Sequence, residues 1–89
     1  MKRKIWSGRS WEEYLEWQSE DAKTLRRINS LIQDIDRNGN MKGIGKPEPL
    51  KHDLKGWYSR RIDDKNRLIY RTAGDAIEIA QCKNHYEDR

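Results

Sequence analysis

The sequence predicts an α+β fold in which two N-terminal helices pack on one face of a small, mainly antiparallel β-sheet, in the order β-α-α-β-β-β. Two observations support this prediction. Apolar residues recur at helical spacing through residues 11–38, and the period of the pattern changes to two beyond residue 53. Helices that precede a run of strands are expected to cover one face of the sheet and to leave the other face free.

The first strand and the first helix are predicted within residues 1–20. Ile5 and Trp6 indicate a short strand, and Ser10 with Glu13 has the spacing of a capping box, which predicts a helix from Trp11. The predicted core-facing residues of this helix are Trp11, Tyr14, Leu15 and Gln18, and its predicted solvent-facing residues are Glu12, Glu13 and Glu16.

A second helix is predicted between a cap at Asp21 and a stop at Gly39. Its apolar residues recur at helical spacing, which predicts that they form the core: Leu25, Ile28, Leu31, Ile32 and Ile35.

The remainder of the chain is predicted to contain a long loop and three strands. Residues 39–53 include three Gly and two Pro without periodicity, which indicates a loop, and a loop this long in a small domain is often functional. Alternating patterns predict strands over 54–62, 67–72 and 76–82. Turn residues at 63–66 and 73–75 separate these strands.

Composition and length exclude several classes of protein. The 89 residues suffice for one domain, 1–89, and four Trp with four Tyr favour a packed core even though 38% of the residues are charged. No apolar run approaches the roughly 18 residues of a membrane span, and no signal peptide is recognisable. The single cysteine, Cys82, and two histidines argue against a disulfide or a structural zinc. We therefore expect a soluble, cytoplasmic protein that uses no cofactor or metal.

The net charge of +4 is concentrated in one stretch of the chain. Residues 42–61 contain six basic and two acidic side chains, a net of +4, and the flanking segments nearly cancel. The basic residues are Lys42, Lys46, Lys51, Lys55, Arg60 and Arg61. A solvated basic face is one interpretation, and a nucleic-acid partner is the other, because cations near phosphates release counterions.

Side chains that could take part in catalysis lie within and after this basic stretch. Glu48 stands between Pro47 and Pro49, which restrict the backbone and suit either a positioned carboxylate or a plain rigid turn. If the strands pair as a hairpin, Arg61 and Arg67 approach each other, which is unfavourable unless an anion lies between them. Neutralisation of the strand arginines, including Arg71, is the alternative, and the candidate carboxylates are Asp63, Asp64, Asp75 and Glu78.

His85 and Tyr86 follow the last predicted strand. A histidine near a terminus is commonly a surface residue. Together with a carboxylate and paired arginines, however, an imidazole and a phenol are the groups that RNA transesterification uses. A base removes the 2′-OH proton, cations stabilise charge on the phosphate, and an acid protonates the leaving 5′-oxygen.

Six segments resemble the YoeB (Txe) toxin family of bacterial type II toxin–antitoxin systems, within the RelE-like superfamily. They are Ile5-Trp6-Ser7, Trp11-Glu12-Glu13-Tyr14-Leu15-Glu16-Trp17-Gln18, Gly45-Lys46-Pro47-Glu48-Pro49-Leu50-Lys51-His52, Trp57-Tyr58-Ser59-Arg60-Arg61-Ile62, Arg67-Leu68-Ile69-Tyr70 and His85-Tyr86. The resemblance implies a RelE-like fold and an mRNA interferase that cleaves mRNA in the ribosomal A site. It also implies a cognate YefM-like antitoxin as partner, binding to the 70S ribosome, and a homodimer.

The resemblance places the family's catalytic residues at Glu48, Arg67, His85 and Tyr86, with basic supporting positions at Lys51 and Arg61. The expected roles are Glu48 as general base and His85 as general acid. Arg67 and Arg61 would hold the phosphate, and Tyr86 would orient the substrate. Lys46, Lys51 and Lys55 are expected to contact RNA.

Three alternatives remain at this level. A ParE-like toxin would share the fold and inhibit DNA gyrase without nuclease chemistry. A nucleic-acid-binding module would account for the basic stretch, and a ribonuclease that acts without ribosomes would use the same chemistry.

Overall fold

A computed structural model describes residues 1–85 of the chain. Its elements, in chain order, are β1 (Arg3–Trp6), α1 (Gly8–Glu20), α2 (Ala22–Asn38), β2 (Glu48–Pro49), a 3-10 turn (His52–Leu54), β3 (Tyr58–Arg61), β4 (Arg67–Ala73) and β5 (Ala76–Gln81). The five strands form one sheet in the order β1-β5-β4-β3-β2, in which β1 is parallel to β5 and the other pairs are antiparallel. The predicted fold class is confirmed. Neither helix in residues 1–85 is long and apolar enough to cross a membrane.

Helix α2 has the ends and the buried face that the sequence predicts. The Asp21 carboxylate accepts hydrogen bonds from the backbone N–H groups of Lys23 and Thr24, and Gly39 ends the helix with φ of 83°. Its apolar side chains pack against β4 and β5 in the core, which comprises Trp17, Ile28, Leu31, Ile32, Ile35, Ile62, Leu68, Tyr70, Ile77, Ile79 and Cys82.

The predicted start of α1 and most of its predicted buried face are wrong, although Tyr14 packs against the core as predicted. Ser7 caps the helix, and Ser10 is instead buried, with its hydroxyl donating to the Ile79 carbonyl at 2.7 Å. Glu13 is buried as well and accepts a hydrogen bond from the Cys82 N–H at 2.8 Å. The polar side chains face the sheet because the end of β5 offers backbone groups that need partners. Trp11, Leu15 and Gln18, which the sequence predicts to face the core, are exposed.

The predicted strand 54–62 is shortened to Tyr58–Arg61. The beginning of the predicted strand overlaps a 3-10 turn instead. There the N–H groups of Lys55 and Trp57 donate to the carbonyls of His52 and Leu54. The predicted loop 39–53 contains the two-residue strand β2, which pairs with β3. The segment before β2 is therefore a structured connection to the edge of the sheet.

Loop residues 39–46 are held by the completely buried side chain of Arg60. Its five N–H donors are all bonded, as a buried guanidinium requires. The acceptors are the Tyr70 hydroxyl at 2.8 Å, the Asp34 carboxylate, and the carbonyls of Ile44 at 3.0 Å, Gly39 at 2.8 Å and Lys42 at 2.8 Å. The Tyr70 hydroxyl in turn donates to the Asn40 carbonyl at 2.5 Å.

The ion pair between Arg60 and Asp34 sets the charge state of this cluster. Partial burial disfavours the Asp34 carboxylate, but hydrogen bonds from Arg60 and from the Ile44 N–H outweigh that effect and lower the pKa of Asp34. Burial raises the pKa of Tyr70, against the opposing hydrogen bond from Arg60. The cluster is therefore a cation, a carboxylate and a neutral phenol at physiological pH.

We expect Gly43→Ala to destabilise the protein more than Gly56→Ala. Both glycines have positive φ, 120° and 95°, so both substitutions carry a backbone cost of about 1 kcal/mol. A Cβ at Gly43 would lie 1.7 Å from Asp34 Oδ2, whereas a Cβ at Gly56 has no neighbour within 4 Å. Separating Asp34 from Arg60 should cost about 3 kcal/mol more. Urea denaturation followed by tryptophan fluorescence measures both losses, and equal losses would contradict the clash.

Candidate active site

The two predicted arginines lie side by side on the sheet face opposite the helices. Side chains alternate along β3, so that Tyr58 and Arg60 point toward the helices while Ser59 and Arg61 point away. The register pairs Arg61 with Arg67, which confirms that the hairpin brings them together. Neither arginine has a carboxylate within ion-pair distance in the part of the chain that the structure describes.

The alternative interpretation, that a carboxylate neutralises the strand arginines, holds for Arg71 on β4. Arg71 forms an ion pair with Glu78 at 2.8 Å, and its guanidinium lies 4.3 Å from the centre of the Trp57 ring. Direct pairing with a carboxylate on the sheet therefore accounts for Arg71, whereas Arg61 and Arg67 form no ion pair with a carboxylate of residues 1–85.

Glu48 lies on the same face at the edge of the sheet. It is exposed, and the register continues from Glu48 to Ser59 on β3, Ile69 on β4 and Gln81 on β5. With strands about 4.8 Å apart, the backbone of Glu48 is roughly 10 Å from β4 and roughly 14 Å from β5. Ser59 and Ile69, the two residues between Glu48 and Gln81 in this row, are buried.

The backbone on both sides of Glu48 is fixed. Before it, the Gly45 carbonyl accepts from the Arg61 N–H at 2.7 Å, and after it the Leu50 N–H donates to the Trp57 carbonyl at 3.0 Å. Leu50 is buried. These bonds add to the restriction by the two prolines, so the carboxylate stands on a rigid edge strand.

The Arg67 guanidinium is held by the turn that precedes it. Its Nη1 donates to the carbonyls of Asp63 at 2.7 Å and Asn66 at 3.1 Å. The backbone N–H of Arg67 donates to the Asn84 carbonyl at 3.0 Å, which brings the C-terminal segment alongside the start of β4. The cation is therefore aimed by neutral carbonyls, and although it forms no ion pair with the Asp63 carboxylate, its charge contributes to lowering the pKa of Asp63.

His85 lies in that C-terminal segment and is exposed. The Gln81 side-chain amide donates to the carbonyls of Asn84 at 3.1 Å and His85 at 2.9 Å, and the Asn84 N–H donates to Asn66 Oδ1 at 2.6 Å. The backbone of His85 is thereby placed beside Arg67. Tyr86, the remaining predicted catalytic residue, lies outside the described residues.

Three further predicted RNA-contacting residues are exposed around β2 and the 3-10 turn. Lys46 precedes β2, and Lys51 and Lys55 flank the turn His52–Leu54. They extend the positive charge of the Arg61 and Arg67 pair along one edge of the sheet.

The sequence does not predict that Arg60 holds the loop 39–46, or that Asn66 and Gln81 hold the C-terminal segment. Arg60 shares its alternating strand pattern with Tyr58 and Ile62, which was a signal that an arginine faces the core. Asn66 and Gln81 carry no such signal, because their hydrogen-bond partners are backbone groups of the C-terminal segment. The partner of Asn66 is 18 residues away, and that of Gln81 is 4 residues away.

The two helices on one face of a five-stranded sheet, with a cationic opposite face, define a RelE-like toxin domain. Residues 6–86 match the sequence model of the YoeB-like toxin of bacterial type II toxin–antitoxin systems. The chain belongs to this family and is the toxin component of such a system.

Similar proteins support this assignment along nearly the whole chain. Toxin YoeB of Escherichia coli strain K12 is 49% identical over 82 residues, which are 92% of this chain and 96% of that protein. A YoeB dimer from Staphylococcus aureus superposes with a TM-score of 0.91 at 46% identity, over 96% of this chain and 98% of that one. The heterotetrameric YoeB–YefM complex from Staphylococcus aureus matches with a TM-score of 0.91 at 45% identity, over 97% and 99% of the two chains.

We expect Asp63→Asn to destabilise the protein at neutral pH and to flatten its acid dependence. Burial disfavours the Asp63 carboxylate, but hydrogen bonds from Asn66 and Lys65 outweigh that effect and lower the pKa of Asp63. Its stabilisation is therefore complete above the unfolded pKa of about 3.9 and is lost as the pH falls through the folded value. Asp63→Asn should lower the free energy of unfolding at pH 7 by about 1 kcal/mol.

The neighbouring exposed Asp64 provides the matched control. Asp64→Asn should change the free energy of unfolding by less than about 0.5 kcal/mol at any pH. Urea denaturation between pH 2 and 7 measures both variants. Identical pH profiles for Asp63→Asn and the wild type would show that the turn does not depend on the carboxylate.

Proposed function

We propose that this toxin is a ribosome-dependent mRNA interferase, an endoribonuclease that cleaves mRNA in the ribosomal A site by metal-independent attack of the 2′-OH on the adjacent phosphate. The observation that carries this proposal is the pairing of Arg61 with Arg67 on the free sheet face, without a carboxylate within ion-pair distance in residues 1–85. Two adjacent guanidinium groups are a site for a phosphate.

The arginines serve the transition state. As the 2′-oxygen attacks, negative charge grows on the non-bridging phosphate oxygens, and fixed cations nearby stabilise it more than they stabilise the ground state. The Arg67 guanidinium is fixed by the carbonyls of Asp63 and Asn66 and needs little reorganisation. Arg61 adds the second cation from the neighbouring strand.

Glu48 and His85 are proposed to move the protons. The Glu48 carboxylate takes the 2′-OH proton while the bond from the 2′-oxygen to phosphorus forms. The bond from phosphorus to the 5′-oxygen breaks as the His85 imidazolium donates its proton to that oxygen. The products are a 2′,3′-cyclic phosphate and a 5′-hydroxyl end, and Tyr86 is proposed to orient the substrate.

The surrounding cations are proposed to bind RNA without taking part in the chemistry. Lys46, Lys51 and Lys55 extend positive potential along the edge of the sheet that carries Glu48. Such contacts contribute affinity that is uniform across sequences and sensitive to salt. Codon positioning is then left to the ribosome.

Two protein partners follow from the family. We propose that the toxin forms a homodimer and is neutralised by a YefM-like antitoxin, since a YoeB dimer and a YoeB–YefM complex are among the similar structures. The two adjacent arginines on the face opposite the helices suit an acidic antitoxin segment, which would occupy the site that the substrate phosphate needs. We also propose that residues 1–89 act as one domain in the cytoplasm.

The two histidines allow a matched test of the mechanism. Purified toxin is incubated with translating ribosomes and mRNA, and the RNA ends are mapped. We expect the wild type and His52→Asn to leave 2′,3′-cyclic phosphate and 5′-hydroxyl ends. His85→Asn should cleave about 10²- to 10⁴-fold more slowly, because it removes the general acid.

Three results would contradict the proposal. Cleavage by His85→Asn at the wild-type rate removes the imidazole from the mechanism. Ends with a 3′-hydroxyl and a 5′-phosphate exclude attack by the 2′-OH. Growth arrest without RNA cleavage would favour a ParE-like toxin that acts without nuclease chemistry.

A further inference from the structure

One turn of the chain, residues 63–66, contacts both the Arg67 side chain and the C-terminal segment that leads to His85. The Asp63 carboxylate accepts from the Asn66 N–H at 2.7 Å and from Asn66 Nδ2 at 3.0 Å. These bonds turn the Asn66 amide so that its Oδ1 faces the Asn84 N–H, 2.6 Å away. The same turn holds the Arg67 guanidinium through two carbonyls.

Gln81 holds the same segment from the sheet. Its side chain is only 6% exposed, and its Nε2 lies 3.1 Å from the Asn84 carbonyl and 2.9 Å from the His85 carbonyl. A buried amide of this kind contributes stability only while its donors are bonded. Gln81 also ends the transverse row of residues that begins at Glu48 on the edge strand β2.

The backbone between Gln81 and His85 is in a conformation that needs support. Asn84 has φ of 66°, in the left-handed region, which asparagine adopts more readily than most residues with a side chain but less readily than glycine. Three groups bond to this one residue: Asn66 Oδ1, Gln81 Nε2 and the Arg67 backbone N–H. Such a residue persists because its neighbours determine its conformation.

We propose that Gln81 and Asn66 are positioning residues of the reaction proposed above: they hold the Asn84–His85 backbone against the start of β4, so that the His85 imidazole and the Arg67 guanidinium meet the same phosphate. This inference rests on the proposed function, to which it adds two residues that position His85. Neither side chain reaches the substrate in this scheme, and both act through the position of His85.

The test compares Gln81→Met with Gln18→Met. Methionine preserves the length of glutamine and removes its donors, and Gln18 is an exposed residue of α1 whose side chain makes no hydrogen bond in the described structure. We expect Gln81→Met to lower the single-turnover rate on saturating ribosomes about 10- to 100-fold, since misplacement by about 1 Å costs this much. The toxin concentration at half the maximal rate should change by less than about twofold. Gln18→Met should match the wild type.

A second, milder variant and an independent readout accompany the rate. Asn66→Ala, at a half-exposed position of the turn, removes the acceptor for the Asn84 N–H and should slow the same step. In ¹⁵N relaxation, the amide order parameters of Asn84 and His85 should fall from about 0.85 toward 0.6 in both variants. The order parameter of His52 should stay unchanged.

The double variants separate positioning from general damage. In a His85→Asn background, Gln81→Met should slow the residual cleavage by less than about twofold, because the group that it positions is already absent. An equal loss in both backgrounds overturns the proposal, and so does a wild-type rate for Gln81→Met. Lower order parameters together with an unchanged rate also overturn it.

Failure of the proposed function gives a different result. In that case His85→Asn itself cleaves like the wild type, or the wild type does not cleave RNA on ribosomes. Failure of the positioning role leaves wild-type cleavage dependent on His85 and insensitive to Gln81→Met.

Discussion

The buried guanidinium of Arg60 is the constraint on which the position of the site depends. A cation that is removed from water must bond all of its donors, and the acceptors of Arg60 come from α2, from β4 and from the loop between α2 and β2. Meeting this requirement folds residues 39–46 against the sheet. The Gly45 carbonyl then bonds to the Arg61 N–H, and the chain enters β2 at Glu48. A core residue thus determines where an exposed carboxylate stands.

The opposite end of the site is tied to the sheet by a second set of polar contacts. Glu13 and Trp17 of α1 bond to the N–H and the carbonyl of Cys82, each at 2.8 Å, and fix the chain just after β5. Burial raises the pKa of the Cys82 thiol to about 12, so this cysteine serves packing and is not a nucleophile. Beyond it, Asn66 and Gln81 hold the segment that leads to His85. The arginine pair lies between these two anchored ends.

How much of this could be predicted depends on the distance over which each residue finds its partners. Helix α2 was predictable because its cap, its stop and its apolar face lie within one segment, and the approach of Arg61 to Arg67 followed from one short hairpin. The buried face of α1 was not predictable, because Ser10 and Glu13 bond to groups 69 residues away in β5 and just after it. Strand β2 escaped prediction because its two residues acquire their conformation from pairing with β3.

Amide hydrogen exchange in Arg60→Lys tests most directly whether Arg60 fixes the approach to the site. Lysine keeps the charge but offers three donors where arginine offers five, so part of the loop must lose its bonds. We expect exchange at the amides of Ile44 and Arg61 to accelerate about tenfold or more, whereas exchange at the β5 amides should be unchanged. The control Arg26→Lys, on the exposed surface of α2, should have no effect. Unchanged exchange at Ile44 and Arg61, or equal acceleration throughout the sheet, would contradict the account.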